Sequence, residues 1–211
     1  MENENFIAVA GIIRNIEVTS GVCGYDISTE YTVITLGVER SSGAEDTIIV
    51  AVQKDEADVG CCELMQPGNG MLATGILQKA VDYRNGRTAV FLLAGYIAPA
   101  EFPKHQNDVV ITGEIVNKSA LRETPRGKRI VDIMIKVENV ISGGNTYIPC
   151  VVWQERADQI ARYRKGTHVT VKGRLQSRVY IKREFEGNEQ TYAEERTTYE
   201  VSVGFLKIWH E

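Results

Sequence analysis

Alternation governs most of this chain. In Asn145-Thr-Tyr-Ile-Pro-Cys-Val-Val-Trp153, Ile148, Cys150 and Val152 fall on one face of an extended strand and Tyr147 and Trp153 on the other. In Gly173-Arg-Leu-Gln-Ser-Arg-Val-Tyr-Ile-Lys182, Leu175, Ser177, Val179 and Ile181 alternate with Arg174, Gln176, Arg178, Tyr180 and Lys182. The period of two predicts strands with the apolar set turned inward, and turn signals separate them. Asn85-Gly86 predicts a hairpin between 78–84 and 88–94, and Pro125-Arg-Gly127, Ser142-Gly-Gly-Asn145 and Glu186-Gly-Asn188 predict further turns. One stretch breaks the rule. Over 154–165, Ala157, Ile160 and Ala161 recur at helical spacing, Glu155 and Asp158 come early, Arg162, Arg164 and Lys165 come late, and Gly166 supplies a stop.

The pattern occurs twice. Phe6-Ile-Ala-Val-Ala-Gly11-Ile-Ile is matched by Val109-Val-Ile-Thr-Gly113-Glu-Ile-Val, Gly75-Ile-Leu-Gln78 by Gly173-Arg-Leu-Gln176, and Gly95-Tyr-Ile97 by Gly204-Phe-Leu206. Landmarks in one order, with small insertions, indicate a tandem duplication. The boundary falls near 98–106, where Pro99 and Pro103 interrupt the strand pattern, giving domains 1–100 and 107–211. Three strands, a helix and two strands in about a hundred residues is the layout of a five-stranded Greek-key barrel of the oligonucleotide/oligosaccharide-binding (OB) type; a small meander sandwich fits the same pattern. The expected class is all-β, two tandem barrels, each with one short helix or helix-like connection.

The polar faces carry the chemistry. Arg174, Arg178 and Lys182 flank Tyr180 on one side of a strand, and Tyr147 and Trp153 offer two more rings. A groove for unpaired nucleic acid needs this mixture, because cations follow phosphates while rings stack on bases. An aromatic in a strand is more often core than platform, so the two copies are worth comparing. Thr47 stands opposite Tyr147, Gln53 opposite Trp153, Ile76 opposite Arg174, Ala80 opposite Arg178 and Asp82 opposite Tyr180. Leu77 and Val81 match Leu175 and Val179. The first copy keeps the interior and loses the outer face, as expected of a domain that kept its fold and lost or changed its ligand.

Charge agrees. The chain carries −4 overall, but residues 1–100 hold 6 basic and 13 acidic side chains, net −7, and residues 101–211 hold 18 and 15, net +3. Cys23, Cys61, Cys62 and Cys150 show neither metal-ligand spacing nor a disulfide framework, and His105, His168 and His210 are scattered. No phosphate loop, nucleophile elbow or paired metal motif is present, so neither an enzyme nor a cofactor is expected. An acidic start and the short apolar run 89–100 argue against a secretory signal or a membrane span, so a cytoplasmic, nucleoid-associated protein is expected.

Residues 108–206 resemble the bacterial single-stranded-DNA-binding protein family, whose relatives include primosomal replication protein N. The likeness rests on Val109-Val-Ile-Thr-Gly113, Leu121-Arg-Glu-Thr-Pro-Arg-Gly127, Tyr147-Ile-Pro-Cys-Val-Val-Trp153, Tyr163-Arg-Lys-Gly166, Val171-Lys-Gly-Arg-Leu-Gln-Ser-Arg178 and Thr198-Tyr-Glu-Val201. It implies an OB fold, no catalysis, and stacking by Tyr147, Trp153 and Tyr180 with basic support from Arg122 and Arg178. It also implies four OB domains in the assembly, which a two-domain chain reaches as a homodimer, and a role in replication, recombination or repair with replication proteins as partners. Glu138-Asn-Val140 lacks an aromatic the family often has there, so weaker affinity is expected. The chain ends Lys207-Ile-Trp-His-Glu211, so recruitment through a flexible acidic tip is not expected. The alternatives are an OB-fold protein-interaction or assembly module, docking through the Ile76/Ala80 face, and an RNA binder.

Overall fold

Strands form where alternation predicts them. The computed structural model describes residues 4–22, 25–54, 64–82, 87–101, 104–138, 144–186 and 189–209. The first copy contributes β1 (Glu4–Val22), β2 (Tyr25–Glu39), β3 (Glu45–Gln53), β4 (Gly70–Asp82) and β5 (Arg87–Pro99). The second contributes β6 (Gln106–Lys118), the two-residue β7 (Arg122–Glu123), β8 (Arg129–Glu138), β9 (Asn145–Trp153), α1 (Gln154–Ala161), β10 (His168–Glu186) and β11 (Glu189–Ile208). The chain is nearly all β, as expected. Asn85-Gly86, Ser142-Gly143 and Gly187-Asn188, together with Cys23, Cys61 and Cys62 and the 55–63 connection of the first copy, lie outside the described residues.

Strand pairing closes twice. One ladder runs β1–β2–β3–β5–β4 and returns to β1; the other runs β6–β8–β9–β11–β10 and returns to β6. The duplicated glycines sit where these closures are tight. A methyl group on Gly11 would collide with the Gly37 carbonyl and one on Gly113 with that of Lys136, at the β1–β2 and β6–β8 pairings. Gly75 and Gly173 face the Leu93 and Ser202 carbonyls at matching register shifts. The inner faces supply Ile48, Val50 and Val52 in the first copy and Ile148, Cys150 and Val152 in the second, all buried.

The copies are joined by antiparallel pairing of β1 with β6, from Glu4↔Thr112 to Ala10↔Gln106. One continuous face therefore crosses both copies in the order β5-β4-β1-β6-β10-β11. Two features depart from expectation. The helix stops at Ala161, four residues short of the expected end, and the Lys118 ammonium takes the carbonyls of Ile160, Ala161 and Tyr163 while Gly166 turns with φ +90°. Val179 and Ile181, expected inside, are 57% and 55% exposed, because beyond Ser177 β10 and β11 leave the barrel as a two-stranded arm with no covering layer among the described residues. The first copy builds its long arm elsewhere, from β1 and β2, paired out to Val22↔Tyr25.

Candidate nucleic-acid interface

With Ile148, Cys150 and Val152 committed to the interior, the odd-numbered residues of β9 must face out. Tyr147 is 42% exposed, and Pro149 and Trp153 are half-buried. Register sets their neighbours. Lys136 of β8 lies across from Tyr147, Met134 from Pro149 and Asp132 from Val151. On the other side β11 runs parallel to β9 and places Ser202 beside Val151. Next in the sheet comes β10, with Arg174 across from Ser202, Gln176 from Glu200, Arg178 from Thr198 and Tyr180 from Arg196. Neighbouring strands lie about 4.8 Å apart, so from β7 to β10 this outer face is roughly 19 Å wide.

The side chains are held in different ways. The Trp153 indole donates its N–H to Ser202 Oγ at 3.1 Å, which fixes the edge of the ring. Tyr180 is 44% exposed on the arm, one turn of the alternation beyond the exposed Arg178. Arg122 pairs with Asp132 at 2.6 Å at the rim, where both side chains stay about half exposed. Arg174 lies 3.6 Å from Asp46, a first-copy carboxylate that is 1% exposed. The side chain of Lys182 lies outside the described residues; its backbone pairs with Glu194. The fold thus brings Tyr147 and Trp153 of β9 and Arg174 of β10 onto one outer face with β11 between them, sets Arg178 and Tyr180 out along the arm, and leaves Arg122 at the far edge.

Two participants were not singled out from the sequence. Lys136 stands across from Tyr147 and donates to Glu114 at 2.7 Å; that hydrogen bond raises the ammonium above its ordinary pKa and lowers the carboxyl. The inward set Val131, Ile133, Ile135 and Val137 was the signal that would have placed Lys136 outside. Arg40 of the first copy reaches the Ser177 carbonyl on β10 at 3.2 Å, and no local pattern announces a contact across 137 residues. Cys150 is buried and burial pushes its thiol up, so it offers no nucleophile at neutral pH.

The equivalent face of the first copy is closed. Tyr31 and Val33 of β2, Ala51 of β3, Phe91 and Leu93 of β5 and Ala80 of β4 form a second apolar cluster, each 8% exposed or less, with Ile49 and Ile76 packed against it. The tip of the β1–β2 arm covers it. Gly21 turns the tip with φ +72°, Val22 is 2% exposed, and the Tyr25 ring meets Phe91 edge-on at 5.8 Å. The Tyr31 hydroxyl, its pKa pushed up to about 12 by burial and by Asp26, donates to the Asp26 carboxylate at 3.1 Å. The Ile76/Ala80 face, through which the alternative reading as a protein-interaction module would dock, is therefore covered within the chain. Asp82 bears a side chain outside the described residues.

Among the described residues no group of His, Cys, Asp and Glu is placed to hold a metal, and no helix is long and apolar enough to cross a membrane. Residues 106–207 match the single-strand binding protein family. A single-stranded DNA-binding protein of Halalkalibacterium halodurans is 34% identical over 80 residues, 35% of this chain and 48% of that protein. One of Enterococcus faecalis is 34% identical over 80 residues, 35% of this chain and 43% of that protein, and single-stranded DNA-binding protein B of Bacillus subtilis is 29% identical over 80 residues, 35% and 71%. The matched segment thus spans about half the length of the first two relatives. Among solved structures, the wild-type single-stranded DNA binding protein from Thermus aquaticus superposes with a TM-score of 0.74 at 18% identity, over 100% of this chain and 95% of that one, which speaks to the fold.

Proposed function

We propose that this chain, whose residues 106–207 match the single-strand binding protein family, binds single-stranded DNA, without catalysis and with little regard to base sequence, through the outer face of β8–β9–β11–β10. The two halves are read as tandem OB domains, 1–100 degenerate and structural or dimerising, 107–211 binding single-stranded nucleic acid. One observation carries this reading: the equivalent sheet faces of the two copies have opposite fates, apolar and covered in the first, open with rings and cations in the second. Tyr147, Trp153 and Tyr180 serve as stacking platforms, and Arg122, Arg174, Arg178 and Lys182, joined by Lys136, follow the phosphates. The setting is cytoplasmic replication, recombination or repair.

Titration of a Trp209→Phe variant with oligo-dT tests this. Trp209 lies just past the end of β11, its indole N–H on Thr170 and Lys207 3.6 Å from the ring centre, so its replacement leaves Trp153 as the reporter. Emission should fall on binding. For two to four neutralised phosphates, log K should fall against log salt with a slope of about −1.5 to −3, since each contact on a single strand contributes about 0.7. An unchanged spectrum at low salt removes the reading.

The homodimer belongs to the same proposal. On the face shared by β5-β4-β1-β6-β10-β11, Tyr96, Phe6 and Phe205 are 57%, 42% and 47% exposed, and the pairings Tyr96↔Thr74, Ala8↔Thr74, Phe6↔Val110 and Phe205↔Lys172 put them on one side. Aligned rings on one face suit a second copy and four barrels in all. Phe6→Glu with Phe205→Glu should halve the mass seen in light scattering. A wild-type chain already monomeric at micromolar concentration defeats this part.

A further inference from the structure

We propose that the first copy clamps the root of the second copy's β10–β11 arm, which makes Asp46 and Arg40 positioning residues for strand binding; this rests on the function proposed above. The need for a clamp follows from the ladder. Pairing with β6 covers one edge of β10 only as far as Gly173↔Val109. Beyond that point Leu175 and Ser177 turn N–H and C=O groups to an edge with which no strand among the described residues is paired. Asn107 satisfies Leu175 from within the second copy, accepting from its N–H at 2.8 Å and donating to its carbonyl at 2.7 Å.

Ser177 is held from the first copy, through all three of its polar groups. Its N–H donates to Asp46 Oδ1 at 2.8 Å, its carbonyl accepts from Arg40 at 3.2 Å, and its hydroxyl accepts from the Thr47 N–H at 2.8 Å. Asp46 is itself fixed, 1% exposed and bound at both oxygens by Arg40, whose Nε donates to it at 2.8 Å. Arg178 follows directly and Tyr180 three residues on. A two-stranded ribbon is marginal by itself, so where these two side chains stand relative to Tyr147 and Trp153 depends on how its root is anchored.

The mirror-image junction shows that charge is not needed merely to cap such an edge. There Asn5 satisfies Leu77 at 2.9 Å through both groups, and the Lys79 N–H donates to Thr146 Oγ1 at 3.0 Å. Thr146 occupies the place in β9 that Asp46 occupies in β3. A hydroxyl suffices at the junction whose ribbon is paired only to Asp82↔Arg87; a buried carboxylate with its own arginine stands at the junction whose ribbon is paired out to Glu186↔Glu189.

The test is a double-mutant cycle read by anisotropy of labelled oligo-dT. Asp46→Asn should weaken binding about five- to tenfold, the scale of the net worth of one ordinary hydrogen bond. In an Arg178→Ala/Tyr180→Ala background the same change should alter affinity less than twofold, because the clamp acts through those residues. In a Tyr147→Ala background the whole factor should persist. Ser177→Ala, which deletes only the hydroxyl, carries the same cycle should Asp46→Asn fold poorly. An unchanged affinity, or an equal loss in the arm variant, overturns the clamp. A wild-type chain that ignores oligo-dT overturns the functional reading, and the clamp with it.

Discussion

Alanine at Trp153 and alanine at Tyr180 will each weaken oligo-dT binding by about 1–3 kcal/mol, roughly 5- to 150-fold in Kd, the usual worth of one stacked base. The two rings reach this from different settings. Trp153 is half-buried with its N–H on Ser202, so it is already oriented and little entropy is lost when a base arrives. Tyr180 stands 44% exposed on the arm beside the exposed Arg178. Trp153→Phe separates the two contributions of the indole: stacking survives and the hydrogen bond is lost, so most of the affinity should remain. Thr47→Ala is the internal control, since Thr47 holds the place of Tyr147 in the first copy and should change binding little. Equal losses at Thr47 and Trp153, measured by anisotropy on variants with native circular dichroism, would mean that the functional asymmetry between the copies is wrong.

Asp46→Ala should cost about 3–5 kcal/mol of stability, because removing one partner of a buried pair strands the other and opens the contacts around it. For a chain of this size that is a fall in Tm of about 6–20 °C. Arg40 keeps a side chain 23% exposed, so the stranded guanidinium retains some water and the lower half of the range applies. The adjacent carboxylate makes the contrast. Glu45 pairs with Arg14 at 2.5 Å, but with side chains 38% and 50% exposed that pair is worth about 0–1 kcal/mol. Calorimetry on Asp46→Ala and Glu45→Gln should therefore separate them widely, and equal Tm values would show that the junction between the copies does not depend on the buried pair.

Both expectations draw on features that differ in how far the sequence disclosed them. The period of two located the inward residues of β9 and thereby its outward rings, and self-comparison aligned β3 with β9, whose patterns of burial differ only at the last residue, Gln53 against Trp153. The same period misled at Val179 and Ile181: alternation reports which residues share a face, and whether a second layer covers that face is settled elsewhere in the chain. The helix was legible to within its last turn, where a lysine 43 residues upstream takes its carbonyls.

By itself, then, the sequence determined the local facts: strand period, the duplicated glycines, the unequal charge of the halves and the outward set on β9 and β10. These follow from backbone geometry and from comparison of one copy with the other. Tertiary structure alone decided that the first copy's face is covered by its own arm, that Arg174 meets Asp46, and that Arg40 and Thr47 hold Ser177. Those contacts join residues up to 137 positions apart. The pairing that brings them together is fixed by closure of two ladders and the union of β1 with β6, a cooperative outcome of the whole chain that no short window encodes.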